Sequence, residues 1–272
     1  MKKRSFSFYI LAAFFGLFVL FLYGPMITIF ILSLQGPEGT LTFPLRGFSF
    51  YWLGQVFQEQ RVGNFIEPFQ RSLVLGGMVT ALVASMAVAA AMSFRLRFRG
   101  SGILFYLSIA SLIVPSILIS LGLGVMFQVM QWPTRWYTSG LGAHLTWTLP
   151  IAFLIMLGIF NRFNPSYEEA ARDLGASDTV TFGEIVLPLI APSLVGVSLL
   201  TFTLSYDEFT RTSLVSGQYN TLPLEIFGMT TNVTSPALYA LGTLTTLFSF
   251  SLIVVAYILY RRMTKREALD AE

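Results

Sequence analysis

Long uncharged, apolar runs alternate with short clusters of charge along this 272-residue chain. At 1.5 Å rise per residue, a helix needs about 20 apolar residues to cross a hydrocarbon layer about 30 Å thick. Six runs reach or approach that length: Phe8 to Leu34, Ser72 to Phe94, Ile103 to Val129, Leu141 to Phe160, Ser193 to Leu214 and Ala237 to Tyr260. The pattern predicts an all-α membrane protein with six transmembrane helices in one membrane domain, residues 1–272. Lys2, Lys3 and Arg4 precede the first run, which is too long for a cleaved leader and reads as a retained signal anchor. In the second run Gly77, Ala81, Ser85 and Ala89 recur every four residues, a stripe expected to let helices pack closely in the bundle. Pro115, Gly122 and Gly124 are expected to bend or loosen the third. The fifth is interrupted by Asp207, Glu208 and Arg211.

Composition agrees with a lipid solvent, since 54% of residues are hydrophobic and only 11% charged, against about a quarter charged in soluble domains. The formal charge of +3 does not point to nucleic acid, because the basic residues flank apolar runs, as topology signals do. An even number of helices places both termini on one side. That side holds Lys2, Lys3, Arg4, Arg95, Arg97, Arg99, Arg162, Arg172, Arg261, Arg262, Lys265 and Arg266, leaving Arg46, Arg61, Arg71, Arg135 and Arg211 elsewhere. The excess marks the first side as cytoplasmic, with both termini inside. Trp132, Trp136 and Tyr137 then fall at the outer interface as headgroup anchors. With no cysteine and one histidine, His144, a metal site is not expected. The only lysines are Lys2, Lys3 and Lys265, so the Gly-Lys-Ser/Thr of a phosphate-binding loop is absent, and any ATP hydrolysis belongs to another subunit.

The connection at about 161–192 carries helix signals instead of linker composition. Pro165 suits a first helical position, and Ser166 with Glu169 offers a capping box. Glu168 and Glu169 lie in the favourable first turn, and Gly175 suits a left-handed cap. A second short helix is predicted from Ser177 or Asp178 to Leu187, stopped or bent by Pro188 and Pro192. The two would form a knuckle presenting Ala170, Ala171 and Leu174 as a small flat apolar face, suited to another protein's groove. A plain connecting loop is the alternative.

Glu169, Ala170, Ala171, Gly175, Ile185, Leu187 and Pro188, at these spacings, resemble the EAA motif of ABC importer permeases. The likeness covers most of the chain, because in that family the loop lies between the fourth and fifth of six helices. It implies the type I importer permease architecture with a short cytoplasmic coupling helix, in a bacterial inner membrane. It also implies a cytoplasmic ATPase dimer that holds ATP and Mg, a second permease of like fold and a periplasmic binding protein. No cofactor is expected on this chain itself. Gly175 would supply the turn, with Glu168, Glu169 and Arg172 meeting the ATPase at the rim.

Asp207 lies about 22 Å along the fifth helix from Pro192, within or just leaving the hydrocarbon zone, where acids cost several kcal/mol unless paired or hydrated. Arg211 is in reach of both Asp207 and Glu208. One arginine cannot neutralise two carboxylates, so a residual negative charge would favour a cation; internal pairing is the structural alternative. Tyr206 and Phe209 could hold an alkyl or ammonium group or simply pack. Ser205 to Phe209, Thr221-Leu222-Pro223-Leu224-Glu225-Ile226 and Ser235-Pro236 resemble permeases of spermidine and putrescine importers. The wider group implies opines, phosphonates, iron or thiamine as other cargoes. A membrane enzyme using Asp207 and Glu208 is the reading from a different class.

Overall fold

The computed structural model describes residues 5–58, 65–96, 98–232 and 235–270. Lys2, Lys3, Arg4, Arg61 and Arg97, which enter the charge count above, lie outside them. Helices occur in the order α1 Phe6–Ser33, α2 Tyr51–Gln55, α3 Ile66–Arg95, α4 Ser101–Ile113, α5 Ser116–Val129, α6 Ser139–Phe160, α7 Ser166–Asp173, α8 Asp178–Thr181, a π-helical turn Phe182–Val186, α9 Leu187–Tyr206, α10 Leu222–Asn232 and α11 Ala237–Asp270. Among the described residues, five spans are long and apolar enough to cross a membrane, or six if the bent α4–α5 pair is counted as one span. The predicted all-α class and six-helix plan hold to that extent.

The chain forms two units, one of residues 1–65 and 226–248, the other of 66–225 and 249–272. In the first, the segment after α1 closes around the buried Gln35, whose amide donates to the Thr40 carbonyl and accepts from the Arg46 N–H at 2.8 Å. Tyr239 reaches back to the Leu41 carbonyl at 2.9 Å.

The second unit holds the main core, where α3, α6 and α9 interlock through Leu75, Val79, Val83, Ala87, Ala152, Phe153, Met156, Ile190 and Val197. In lipid such helices gain little from excluding water, so their association rests on van der Waals contact between interdigitated side chains. The stripe of Gly77, Ala81, Ser85 and Ala89 does not take part, because all four are exposed and the packed row is offset from them. Both rows repeat every four residues, and period alone cannot choose between them. The close approach falls at Gly76 instead, where an added Cβ would meet the Phe202 ring at 3.0 Å.

Three helix ends depart from expectation. The third span breaks outright, with α4 and α5 at 104°. Val114 is extended (ψ 129°), the conformation that a following proline imposes. Pro188 and Pro192 do not stop the helix begun at Asp178; it runs through the π turn to Tyr206 as one 29-residue span. Pro188 falls in the first turn after the π turn, where its fixed φ suits a helix. The fifth span then ends at Tyr206, eight residues before the expected Leu214, because side chains beyond it claim the backbone groups that a helix would use.

Candidate functional site

Two polar constructions sit at opposite ends of the α3–α6–α9 core. At the end where α6 closes, the knuckle folds as one capped unit. Asn164 Oδ1 accepts from the Ser166 N–H at 3.1 Å and Pro165 is the N-cap, so asparagine does the capping expected of Ser166 and Glu169. The C-terminus of α7 is a Schellman turn, in which Gly175 N–H donates to Arg172 O at 2.9 Å and Ala176 N–H to Ala171 O at 3.0 Å. Gly175 has φ +85°, a conformation costing other residues about 1 kcal/mol or more. Ser177 then caps α8 by accepting from Val180 N–H at 3.4 Å.

The turn sorts the predicted coupling residues into two sets. Glu169, Ala170, Arg172 and Gly175 are exposed, and Leu174 stands 90% exposed at the tip. Glu168 and Ala171 point inward and are buried. The flat face is therefore formed by Ala170 and Leu174 without Ala171, and Glu168 does not stand at the rim. Its carboxylate instead accepts both branches of the Arg95 guanidinium, Nη1 at 2.9 Å and Nη2 at 2.8 Å. Arg95 also lies 5.6 Å from the Phe160 ring centroid and 5.4 Å from that of Phe163. Arg172 meets Asp178 at 3.3 Å, but both side chains are largely in solvent, so the pair is worth at most about 1 kcal/mol. Ile185 is half-buried in the π turn, and Leu187 and Pro188 are exposed at the start of α9.

At the other end, residues 207–216 leave the helix and thread between α5 and α6. Irregular backbone at membrane depth persists only where protein or water satisfies it, and here serine, threonine and histidine do so. Ser120 donates to Arg211 O at 2.8 Å, and Ser139 to Val215 O at 2.7 Å. His144 is five residues into α6, about 7.5 Å at 1.5 Å per residue. Both its ring nitrogens are engaged, Nδ1 with Ser205 Oγ at 2.7 Å and Nε2 with Thr212 Oγ1 at 2.8 Å, so it is a buried clamp. Gly217, at φ +73°, packs where an added Cβ would lie 2.3 Å from Thr134 O.

Within this segment the acidic pair divides. Glu208 is buried, accepting the Arg211 backbone N–H at 2.8 Å and its guanidinium at 3.2 Å. Arg211 also lies 4.7 Å from the Trp147 ring centroid. Asp207 is exposed, and no ion pair among the described residues involves it. Tyr206 is buried, stacked on Phe202 at 5.9 Å and edge-on to Phe69 at 6.3 Å, as a packing residue would be. Beside residues 207–216, α5 presents Ser120, Gly124 and Gln128 to an open cavity of about 490 Å³ that Pro133 and Leu214 also line.

Sequence reasoning missed Arg95 and the clamp made by His144 with Ser120 and Ser139. Arg95 ends an apolar run and so reads as a topology charge; its partner is 73 residues away. A single histidine one and a half turns into an apolar helix was the one available signal for the clamp.

A family model described as binding-protein-dependent transport system inner membrane component matches residues 77–265. The chain is 30% identical over 261 residues to the spermidine/putrescine transport system permease protein PotC of Haemophilus influenzae, covering 94% of this chain and 98% of the relative. It is 28% identical over 260 residues to PotC of Escherichia coli K12, covering 93% and 94%, and 29% identical over 230 residues to that organism's putrescine permease PotI, covering 82% and 81%. Among solved structures, a chain of a bacterial ABC transporter importing the acidic polysaccharide alginate superposes with a TM-score of 0.72 at 14% identity, over 94% of this chain and 95% of the other. A second alginate transporter structure gives 0.64 at 16% identity, over 95% and 93%. At those identities the likeness is one of fold.

Proposed function

We propose, proceeding from the fact that this chain belongs to the family of binding-protein-dependent transport system inner membrane components, that it is a polyamine permease subunit whose exposed Asp207 faces the passing cation. The family fixes the coarser statement: this is the membrane component of an ABC importer, and ATP is hydrolysed on a separate subunit. Relatives named for spermidine and putrescine support the cargo. The observation that carries the reading is the division of the acid pair. Glu208 is consumed by Arg211, while Asp207 is exposed. Two carboxylates and one guanidinium sum to −1, which favours a cation and opposes an acidic polysaccharide of the kind the structural neighbours import. An enzymatic reading that pairs Asp207 with Glu208 has less support, because Glu208 is held by the Arg211 backbone N–H and guanidinium.

The knuckle is the docking point for the ATPase in this proposal. Leu174 and Ala170 would enter its groove, Glu169 and Arg172 would lie at the rim, and Ile185, Leu187 and Pro188 would carry the displacement into α9. The working assembly has a dimeric ATPase holding ATP and Mg, a second permease of like fold and a periplasmic binding protein. Both termini face the cytoplasm, as the basic residues on that side favour.

The test is uptake by the reconstituted importer. Labelled spermidine or putrescine should accumulate with ATP and stimulate its hydrolysis when carried by the binding protein, while an acidic oligosaccharide should not. Uptake of the anion and none of either amine would overturn the cargo. Wild-type ATPase association in a Leu174→Asp variant would overturn the docking point.

A further inference from the structure

We infer that Arg95 is the positioning residue that joins α3 to the coupling knuckle: its guanidinium grips Glu168 of α7 while lying over Phe160 and Phe163, so that α7, α3 and the end of α6 move together. The inference rests on the reading of α7 as the ATPase docking point.

Topology gives the reason such a link is needed. The core consists of α3, α6 and α9. Of these, α6 runs into the knuckle through Asn161–Pro165, and α9 leaves it through α8 and the π turn. Both are joined to it by covalent chain and are displaced when it is. α3 has no such connection, and its polar link to α7 is the Arg95–Glu168 pair.

The geometry suits transmission better than a lone charge contact would. Two parallel N–H···O bonds at 2.9 and 2.8 Å fix the orientation as well as the separation of the two planes. The side chains are only 21% and 12% exposed, so solvent screening is limited. Phe160 and Phe163 fix the guanidinium at 5.6 and 5.4 Å from their centroids, and lysine has no planar group to stack there.

The far end of α3 shows where a displacement would arrive. Ser72 Oγ accepts the Leu222 N–H at 2.9 Å, and Arg71 donates to the Asn220 carbonyl at 2.7 Å. From Ser72 to Arg95 is about 35 Å at 1.5 Å per residue, roughly one bilayer. The helix thus connects the knuckle with the loop that follows the polar break.

The experiment uses the whole importer in proteoliposomes, with Arg95→Gln, Glu168→Gln, Arg95→Lys and the exchanged pair Arg95→Glu with Glu168→Arg. Three quantities are read: retention of the ATPase, stimulation of ATP hydrolysis by loaded binding protein, and solute taken up per ATP. The inference expects the ATPase to stay bound in all four. Uptake per ATP should fall about tenfold in the two glutamine variants and less in Arg95→Lys, and the exchanged pair should recover at least part of the loss. Unchanged uptake per ATP in Arg95→Gln and Glu168→Gln would overturn it. So would loss of the ATPase from these variants, which would give Glu168 a docking role only. Failure of the docking reading itself is distinguishable, because it appears in Leu174→Asp while Arg95 and Glu168 are intact.

Discussion

Each end of the core carries two adjacent acids, Glu168–Glu169 in the knuckle and Asp207–Glu208 at the break, and each pair is divided the same way. One member is buried on an arginine, Glu168 on Arg95 and Glu208 on Arg211, while the other is exposed. The partners differ in sequence distance. Arg211 is three residues from Glu208 and closes a local turn, whereas Arg95 is 73 residues from Glu168 and joins separate helices. The buried acid builds the structure in both places and leaves its neighbour available for contact. The local pair shapes only its own segment, while the distant one can pass movement between elements.

The largest effect should come from unpairing the local arginine. Glu208→Ala would strand Arg211 in a buried site and cost about 3–5 kcal/mol, read as a lowered thermal midpoint of the purified protein in detergent or lipid. Glu208→Ala with a wild-type midpoint would mean that the pair does not hold the break. Next is His144→Ala, which removes the partner of the Ser205 and Thr212 hydroxyls. It should cost about 1–3 kcal/mol, while His144→Gln, able to replace one hydrogen bond, should recover part of that. At the knuckle, Gly175→Ala meets no steric obstacle, yet pays for the positive φ by about 1 kcal/mol. Its ATPase affinity should weaken by more than its stability, because the Schellman turn sets the direction of Leu174. Smallest is Arg172→Gln, whose solvent-exposed pair with Asp178 should shift stability by less than about 0.5 kcal/mol; a larger change would show that exposure alone does not rank these charges.

Legibility followed the range of the interactions. α7 could be read from its sequence, because Pro165, the first-turn acids and Gly175 act within one or two turns, and even the capping side chain, Asn164, lies only two positions from Ser166. The Glu208–Arg211 pair was likewise among the alternatives that spacing left open. Arg95 was not legible, because no local pattern specifies a partner 73 residues away. The packing face of α3 escaped for a related reason: Gly77, Ala81, Ser85 and Ala89 share their four-residue period with Leu75, Val79, Val83 and Ala87, and only the position of Phe202 against Gly76 decides between them. Pro188 and Pro192 are helix breakers locally, but the π turn places Pro188 in a first turn that accepts it. The end of α9 at Tyr206 depends on hydroxyls and an imidazole from Ser120, Ser139 and His144, on two other helices.

The most direct measurement is spermidine uptake by the complete importer in proteoliposomes carrying Asp207→Asn, compared with Asp207→Glu. Removing the exposed charge should lower uptake about tenfold, equivalent to about 1.4 kcal/mol in the transport barrier, with the thermal midpoint unchanged because no ion pair among the described residues involves Asp207. Asp207→Glu, which keeps the charge, should retain most of the uptake. Wild-type spermidine uptake by a correctly inserted Asp207→Asn protein would contradict the account and leave the exposed carboxylate without a part in transport.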